Sequence, residues 1–495
     1  MDTAIMQQGP FAPAVWESDQ RSQQWAASHS HADGLDGQYA SLVAVEFDAH
    51  NEEASEPSSE MDTRDEEELE RLEWEIREME TSIEGLDAHY KIVDKLGEGT
   101  FSSVYKAVDL QHAYYDNDHW ALRQETAIGT RSKVYVALKR IYVTSSPSRI
   151  VNELEIMEEL RDAEHVAYLI TAFRARDQVV AVMPYSRHTD FRDFYRVMPL
   201  VDLKCYFRCL MSALRSVHEA NVMHRDVKPA NFLYDPRTGH GTLCDFGLAE
   251  RFEPNEWRGK CHHTLPTLEH PHGKTEINRN VQSIHFSPGG MLAGGSASSR
   301  SKAAMGPPER VGYLKNDTRP GVRANRAGTR GFRAPEVLLK CQDQTPALDI
   351  WSAGIILVAF LSKRFPVFNA NDDTEALLEL ATIFGKKRME QCALLHNRTF
   401  QCNVPTIEGG KRINDFILQL NPGFMDPGSH PDPDRYRLDA TRALDFARAC
   451  LHLDCTRRWT AAALLEHPFL ASDEGQEEAF HHHEAEMQDA TTPRH

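Results

Sequence analysis

Within eight residues, His224 to Asn231, stand a carboxylate, an ammonium and a carboxamide: Asp226, Lys228 and Asn231. Phosphoryl transfer needs this set. A carboxylate orients the acceptor hydroxyl and receives its proton, a cation sits near the moving γ-phosphoryl, and an oxygen ligand holds a metal ion close by. Cys244-Asp245-Phe246-Gly247 adds a second acidic ligand, Asp245, beside a glycine that permits a turn. Two hard oxygen donors, Asn231 and Asp245, suit Mg²⁺ sharing its shell with phosphates and water.

These residues must be held by strands and helices, and the chain before them supplies candidates. From Tyr90 to Asp109 two apolar-alternating strands flank a glycine turn. Gly97 and Gly99 let backbone approach phosphates, Val104 would cover an adenine, and Ser102 stands where a third glycine is usual. Alone, such a hairpin is often only a tight turn. It gains weight from Val136-Ala137-Leu138-Lys139, a strand whose lysine can reach the α- and β-phosphates. On the helical stretch Asn152 to Met157, Glu155 is a nearby competitor, but helical phase favours Glu153 as the partner of Lys139. Met157, one turn on, would face the core beside Phe246 and His224. Val179 to Pro184 reads as a buried strand, with Met183 at the rear of a nucleotide pocket and Tyr185 and Ser186 in the connector. Residues 200–221 form an amphipathic helix carrying Leu203, Phe207, Leu210, Leu214 and Val217. Cys205 and Cys209 on it read as helical thiols rather than metal ligands. After Asn231, Phe232-Leu233-Tyr234 continues as a short strand with Leu233 under the adenine.

Leu248 to Arg333 is a long connector whose middle is Gly/Ser-rich. Its first part holds Cys261, His262, His263, His270 and His272. A zinc site is conceivable there, against one cysteine and no C-x-x-C pair. Its last part is basic: Arg319, Arg323, Arg326, Arg330 and Arg333. Two readings stand, a solvated basic loop or a surface for acidic or phosphorylated groups. Thr329 would sit close to Asp226 and shape the acceptor site. Glu336 calls for a buried cationic partner, with Arg458 the natural candidate, and Asp349 could hold the backbone of the 224–231 loop from below.

The composition sets outer limits. Of 495 residues, 41% are hydrophobic, enough for two or three packed units. The formal charge of −19 argues against nucleic-acid binding through the whole surface. No apolar run is long enough for a membrane span, and no basic region followed by an apolar one marks a secretory leader. Nine cysteines without framework spacing fit free thiols in a reducing compartment. Residues 1–62 read as an acidic disordered tail. Residues 63–87 read as an amphipathic helix, with an apolar seam of Leu69, Leu72, Ile76, Met79, Ile83 and Leu86, that packs on the domain after it. That domain spans 88–470, with inserts at about 111–133, 250–325 and 386–440, and a second disordered tail covers 471–495.

The order of parts resembles the eukaryotic protein kinases: glycine hairpin, Val-Ala-Leu-Lys, helical Glu, His-Arg-Asp…Asn, Asp-Phe-Gly and Ala-Pro-Glu. The resemblance covers about residues 88–470 and implies an α+β, two-lobed protein kinase fold, with a β-rich N-lobe carrying one helix and a helical C-lobe. Val-Lys-Pro-Ala-Asn, with Lys228 two residues after Asp226, looks like the serine/threonine class. The strings His224 to Tyr234, Arg326-Ala-Gly-Thr-Arg-Gly-Phe-Arg-Ala-Pro-Glu-Val-Leu338 and Asp349-Ile-Trp-Ser-Ala-Gly354, the long insert, and Phe332 in place of Tyr or Trp are similar to the cell-division-cycle-seven kinases, of fungal type. The resemblance implies ATP and Mg²⁺, with nucleotide contacts from Leu96, Gly97, Glu98, Gly99, Val104, Ala137, Lys139, Met183, Tyr185 and Leu233. Asp226, Lys228, Asn231, Lys139, Glu153 and Thr329 would form the catalytic set, Asn231 and Asp245 the metal ligands, and Arg326, Arg330 and Arg333 the site for acidic residues of the substrate. It further implies a regulatory activating subunit (dumbbell-forming factor four), substrates in the minichromosome maintenance helicase, a nuclear location, no direct nucleic-acid binding and no membrane. Family members with cysteine pairs in the long insert can bind zinc there, and this chain lacks those pairs. Two rivals are an acid-directed kinase of another pathway and a pseudokinase scaffold. The scaffold would be favoured by loss of Lys139, Asp226 or Asp245, and all three are present.

Overall fold

The computed structural model describes residues 66–99, 101–115, 134–142, 145–253, 256–257, 261–264, 324–402 and 404–471. The expected tails at 1–62 and beyond 471 lie outside the described residues. So do most of the inserts at 111–133 and 250–325, and with them His270, His272, Arg319 and Arg323. The chain divides into two compact units. The first runs to residue 144 and includes Ile170–Met183, and the second holds Ser145–Leu169 and everything from Pro184 on.

The first unit is built on a five-stranded sheet of order β1-β2-β3-β5-β4. Its strands are β1 (Tyr90–Glu98), β2 (Ser102–Asp109), β3 (Tyr135–Ile141), β4 (Thr171–Ala175) and β5 (Gln178–Pro184). Antiparallel register places Val104 opposite Lys139 and Lys106 opposite Ala137. Directly opposed residues share a face, so Val104, Ala137 and Lys139 project from the same side. The register slips between Lys95 and Gly97, at Leu96, as β1 runs into the glycine turn. The turn closes where the Gly99 N–H donates to the Ser102 carbonyl at 2.8 Å.

The predicted N-terminal helix is present as α1 (Glu66–Ser82). It stops sooner than its apolar seam does. Gly85 turns the chain at φ 79° and a single turn, α2 (Leu86–His89), leads into β1. Burial along the seam deepens toward that end: Leu69, Leu72 and Ile76 are half-buried, whereas Met79, Ile83 and Leu86 are fully enclosed. Ion pairs from its flank reach the sheet, Glu75 to Lys95 at 2.6 Å and Glu78 to Arg140 at 3.0 Å. The expected packing of this helix on the following domain is therefore observed.

The second unit is mainly helical. Its helix α3 (Pro147–Glu159) buries Ile150, Glu153, Ile156 and Met157. A short α4 (Phe191–Phe194) precedes α5 (Leu200–Glu219), on which the five predicted apolar positions are all enclosed. Tyr206 on α5 meets Phe232, Tyr234 and Phe360 with ring centroids 4.8–5.0 Å apart. Phe232 and Tyr234 come from the hairpin β7 (Phe232–Asp235) and β8 (His240–Leu243), which follows the two-residue β6 (Val222–Met223). The partner of β6 is β9 (Glu250–Arg251).

After the connector come α6 (Pro335–Leu338) and α7 (Ala347–Ser362). Every residue of α7 from Leu348 on is buried, as expected of a helix apolar on all sides. It crosses a later helix, α11 (Pro433–Cys450), at Gly354, where a Cβ would come within 2.8 Å of the Cys450 Cβ. Residues 386–440, read from sequence as an insert, hold helices integrated with this core. Between α8 (Asp373–Phe384) and α11 lie α9 (Lys386–Leu395) and α10 (Ile413–Leu420). Met389, Ala393, Leu395, Ile413 and Ile417 are buried there. The last helix is α12 (Ala461–Leu465). Among the described residues, no helix is long and apolar enough to cross a membrane.

Candidate active site

The loop at 224–231 is held by one buried carboxylate. Asp349, in the first turn of α7, accepts the backbone N–H of His224 at 2.8 Å and of Arg225 at 2.7 Å, and meets His218 Nε2 at 3.0 Å. Burial would raise its pKa. Hydrogen bonding and charge from His218, then the field of His224 and the Arg225 amide, outweigh it and hold the group below the usual carboxylate range. This anchors the backbone of the loop, as the sequence suggested. His224 packs edge-on against Phe246 with centroids 5.0 Å apart, and its Nε2 lies 3.0 Å from the Cys244 carbonyl.

Arg225 adopts φ 70° and sends its guanidinium into the core. Burial lowers its pKa to about 10. It pairs with Glu250 on β9, and donates to the Asn325 carbonyl at 3.2 Å and to Gln344 Oε1 at 2.9 Å. Asn325 in turn donates to Glu250 at 2.9 Å. One arginine thus gathers residues from both sides of the long connector.

Asp226, 6% exposed, is surrounded by donors. Its Oδ1 accepts from the Thr329 N–H at 2.8 Å and the Thr329 hydroxyl at 2.7 Å. Its Oδ2 accepts from Lys228 Nζ at 2.7 Å and Asn231 Nδ2 at 3.1 Å. Lys228 also donates to Thr329 Oγ1 at 3.1 Å. Asn231 Nδ2 additionally donates to the Asp226 carbonyl at 2.9 Å. With its N–H groups committed to Asp226, the amide presents Oδ1 for other partners, the atom a hard cation would take. Asp245 is exposed at φ 68°, and both it and Glu153 place a carboxylate oxygen 3.3 Å from where a Cβ on Gly247 would stand. The donor set of Asn231 and Asp245, all oxygen, fits Mg²⁺.

Gly328 makes the Thr329 contact possible. It sits at φ 98°, and a Cβ there would lie 2.3 Å from the Arg225 carbonyl oxygen. Beyond it, three arginines converge on one carboxylate. Arg326 and Arg333 each reach Asp373 at 2.7 Å and Arg330 at 3.8 Å. Asp373, at the start of α8, was not visible in the sequence as their partner. No periodicity links it to the arginines 40 or more residues earlier. Next to the arginines lies a cavity of about 360 Å³ lined by Arg192, Thr329, Arg330, Phe332 and Phe365 among others. Glu336 and Arg458 form the expected buried pair, at 2.7 and 3.2 Å. Burial opposes both charges, but their mutual attraction wins, lowering the Glu336 pKa and raising that of Arg458.

The remaining predicted positions fall in two places. Leu96, Gly97, Glu98, Gly99, Val104, Ala137, Lys139 and Met183 belong to the first unit, where Ala137, Lys139 and Met183 are buried. Glu153, Tyr185 and Leu233 belong to the second, with Leu233 half-buried opposite Thr242 in the β7–β8 hairpin.

Comparison with known proteins shows the family. The protein kinase domain family matches residues 90–267 and 312–470. The chain is 41% identical over 465 residues to the cell cycle serine/threonine-protein kinase hsk1 of Schizosaccharomyces pombe, covering 90% of this chain and 84% of that protein. It is 37% identical over 402 residues to the cell cycle protein kinase spo4 of the same organism, covering 80% and 88%. The cell division cycle 7-related protein kinase of Mus musculus is 30% identical over 429 residues, covering 68% and 73%. The six motifs, the Asp226 constellation and these likenesses together place the chain in the protein kinase family, as a serine/threonine kinase of the cell-division-cycle-seven type.

Proposed function

We propose that this kinase phosphorylates serine or threonine followed by an acidic or phosphorylated residue. The carrying observation is the convergence of Arg326, Arg330 and Arg333 on Asp373, in the segment that also hydrogen-bonds Asp226 through Thr329. The three guanidinium groups outnumber the one carboxylate they meet, and the acceptor hydroxyl must come to Asp226. The residue just after the acceptor would then fall near the arginines, whose planar forks suit carboxylate and phosphate.

In this reading Asp226 orients the acceptor hydroxyl and takes its proton. Lys228, held by Asp226 and Thr329, offsets charge on the γ-phosphoryl. Asn231 and Asp245 would hold Mg²⁺, which when bound neutralises phosphate charge. Lys139 would take the α- and β-phosphates, and the resemblance assigns its positioning to Glu153. Nucleotide binding is assigned to Leu96, Gly97, Glu98, Gly99, Val104, Ala137, Met183, Tyr185 and Leu233. Catalysis is then positioning and electrostatics rather than covalent chemistry. The family likeness supports dependence on a regulatory subunit of the dumbbell-forming factor four type; the proposal adds substrates in the N-terminal tails of the minichromosome maintenance helicase and a nuclear location.

Purified chain assayed on peptides with Ser-Asp, Ser-phosphoSer and Ser-Ala, with and without the regulatory subunit, tests this. Preference for the first two, strong stimulation by the subunit, and loss of that preference in Arg326→Ala/Arg333→Ala are expected. Equal rates on all three peptides would remove the acid-directed reading. Full activity without the subunit would instead favour an acid-directed kinase of another pathway.

A further inference from the structure

Four side chains that the phosphotransfer reading does not use meet inside the second unit. Cys261 and His263 follow β9, Cys341 follows α6, and His396 follows α9. All four are buried, Cys341 and His396 completely. Their candidate ligand atoms lie within 4.8 Å of one another. The two sulfurs are 3.6 Å apart, and His263 Nε2 is 3.2 Å from Cys341 Sγ. A disulfide would need about 2.05 Å between sulfurs. A tetrahedral zinc ion with Zn–S bonds of about 2.3 Å separates two thiolates by about 3.8 Å. The observed spacing matches the second arrangement.

We propose that Cys261, His263, Cys341 and His396 form a structural Zn²⁺ site. The imidazole of His396 is an independent pointer. Both its ring nitrogens are buried without a hydrogen-bond partner, and a native core rarely leaves such atoms unsatisfied. A metal ion would engage one of them. Two thiolates balance the 2+ charge, so the filled site is neutral, as its burial requires. No carboxylate or open position is present in the set, and a closed S₂N₂ shell is structural rather than catalytic.

The ligand-bearing turns are already held together by other bonds. Arg398 donates to the Leu339 carbonyl at 3.2 Å and the Lys340 carbonyl at 3.0 Å, tying the Cys341 turn to the one that carries His396. The His262 N–H donates to the Leu395 carbonyl at 2.9 Å, so the Cys261–His263 turn is laid against the end of α9. The ion would pin the start of the long connector to the helical core. Cys341 and His396 lie outside that connector, so the site differs from any formed by cysteine pairs within it.

The test uses the full chain, purified without a metal-affinity tag, with His481, His482 and His483 replaced by Gln to remove a competing tract. Metal analysis after dialysis against a weak chelator should give one zinc per chain, and C341S and H396Q should lose it. Cobalt substitution of the parent chain should show the d–d bands of a tetrahedral ion and thiolate-to-cobalt charge transfer. This readout stands even where a variant fails to fold. Folded parent chain without zinc would overturn the site. So would zinc that persists in both variants, cobalt without thiolate bands, or a Cys261–Cys341 disulfide in the unreduced chain by mass spectrometry.

Discussion

At the scale of single residues, Asp226 accepts four hydrogen bonds, from Thr329 N–H and hydroxyl, Lys228 and Asn231. Its oxygens are all acceptors, so the neighbouring donors are arranged for a carboxylate. Asp226→Asn removes the base and turns an N–H toward donors. We expect kcat to fall by about 10²–10⁴-fold, the usual contribution of a positioned base, with nucleotide affinity little changed. Single-turnover kinetics beside a nucleotide titration checks this. Phosphorylation at the unaltered rate would remove Asp226 from its role. Gly328→Ala acts on the same contact from outside the octapeptide. Its left-handed backbone and a Cβ 2.3 Å from the Arg225 carbonyl force Thr329 to shift, with strain of about 1–3 kcal/mol. Peptide kcat/KM should fall while nucleotide affinity holds. The motifs around Asp226 were legible because phosphoryl transfer demands fixed residue types at short spacing. Asp373 was not, because only the fold brings it to Arg326 and Arg333.

At the scale of elements, α1 is held by two kinds of contact, and their magnitudes differ. Its ion pairs to Lys95 and Arg140 are partly exposed, and such pairs contribute roughly 0–1 kcal/mol each. Met79 and Ile83 are fully enclosed, and truncating a core side chain of that size costs about 2–5 kcal/mol. Met79→Ala should therefore loosen the helix far more than Glu78→Gln. Hydrogen exchange across 66–89 would show it, and equal effects would mean that the ion pairs dominate. The seam itself was readable from its helical spacing. The break after Ser82 was not readable as such, since apolar residues continue in phase to Leu86. Gly85, at φ 79°, opens the turn into α2. The integration of 386–440 was hidden for a related reason. Scattered Pro, Gly and Asp mark turns between short helices as readily as they mark an insert.

At the scale of the whole molecule, two fully buried acids contribute to the response to pH. Glu336 and Asp349 both have folded pKa values below those of the unfolded chain. Their stabilisation is complete above the ordinary carboxylate range and is lost as pH falls through the depressed folded values. Stability should thus decline on acidification, and Glu336→Gln should flatten that slope in urea titrations run at successive pH values. The same variant should lose stability at neutral pH, by about 3–5 kcal/mol, because Arg458 is left buried without a counter-charge. A slope identical to that of the parent chain would assign the acid response to other groups. A last consequence follows from Arg225, whose guanidinium holds Glu250 and the Asn325 carbonyl together although these residues are 75 positions apart. In polymer terms the intervening segment is a closed loop. The entropy of closing such a loop grows only as the logarithm of its length, about 0.6 kcal/mol for each doubling. Excising residues 275–310 should then change the unfolding free energy by no more than about 1 kcal/mol. By that logarithm, the cost of bringing Glu250 and Asn325 together depends only weakly on how many residues separate them.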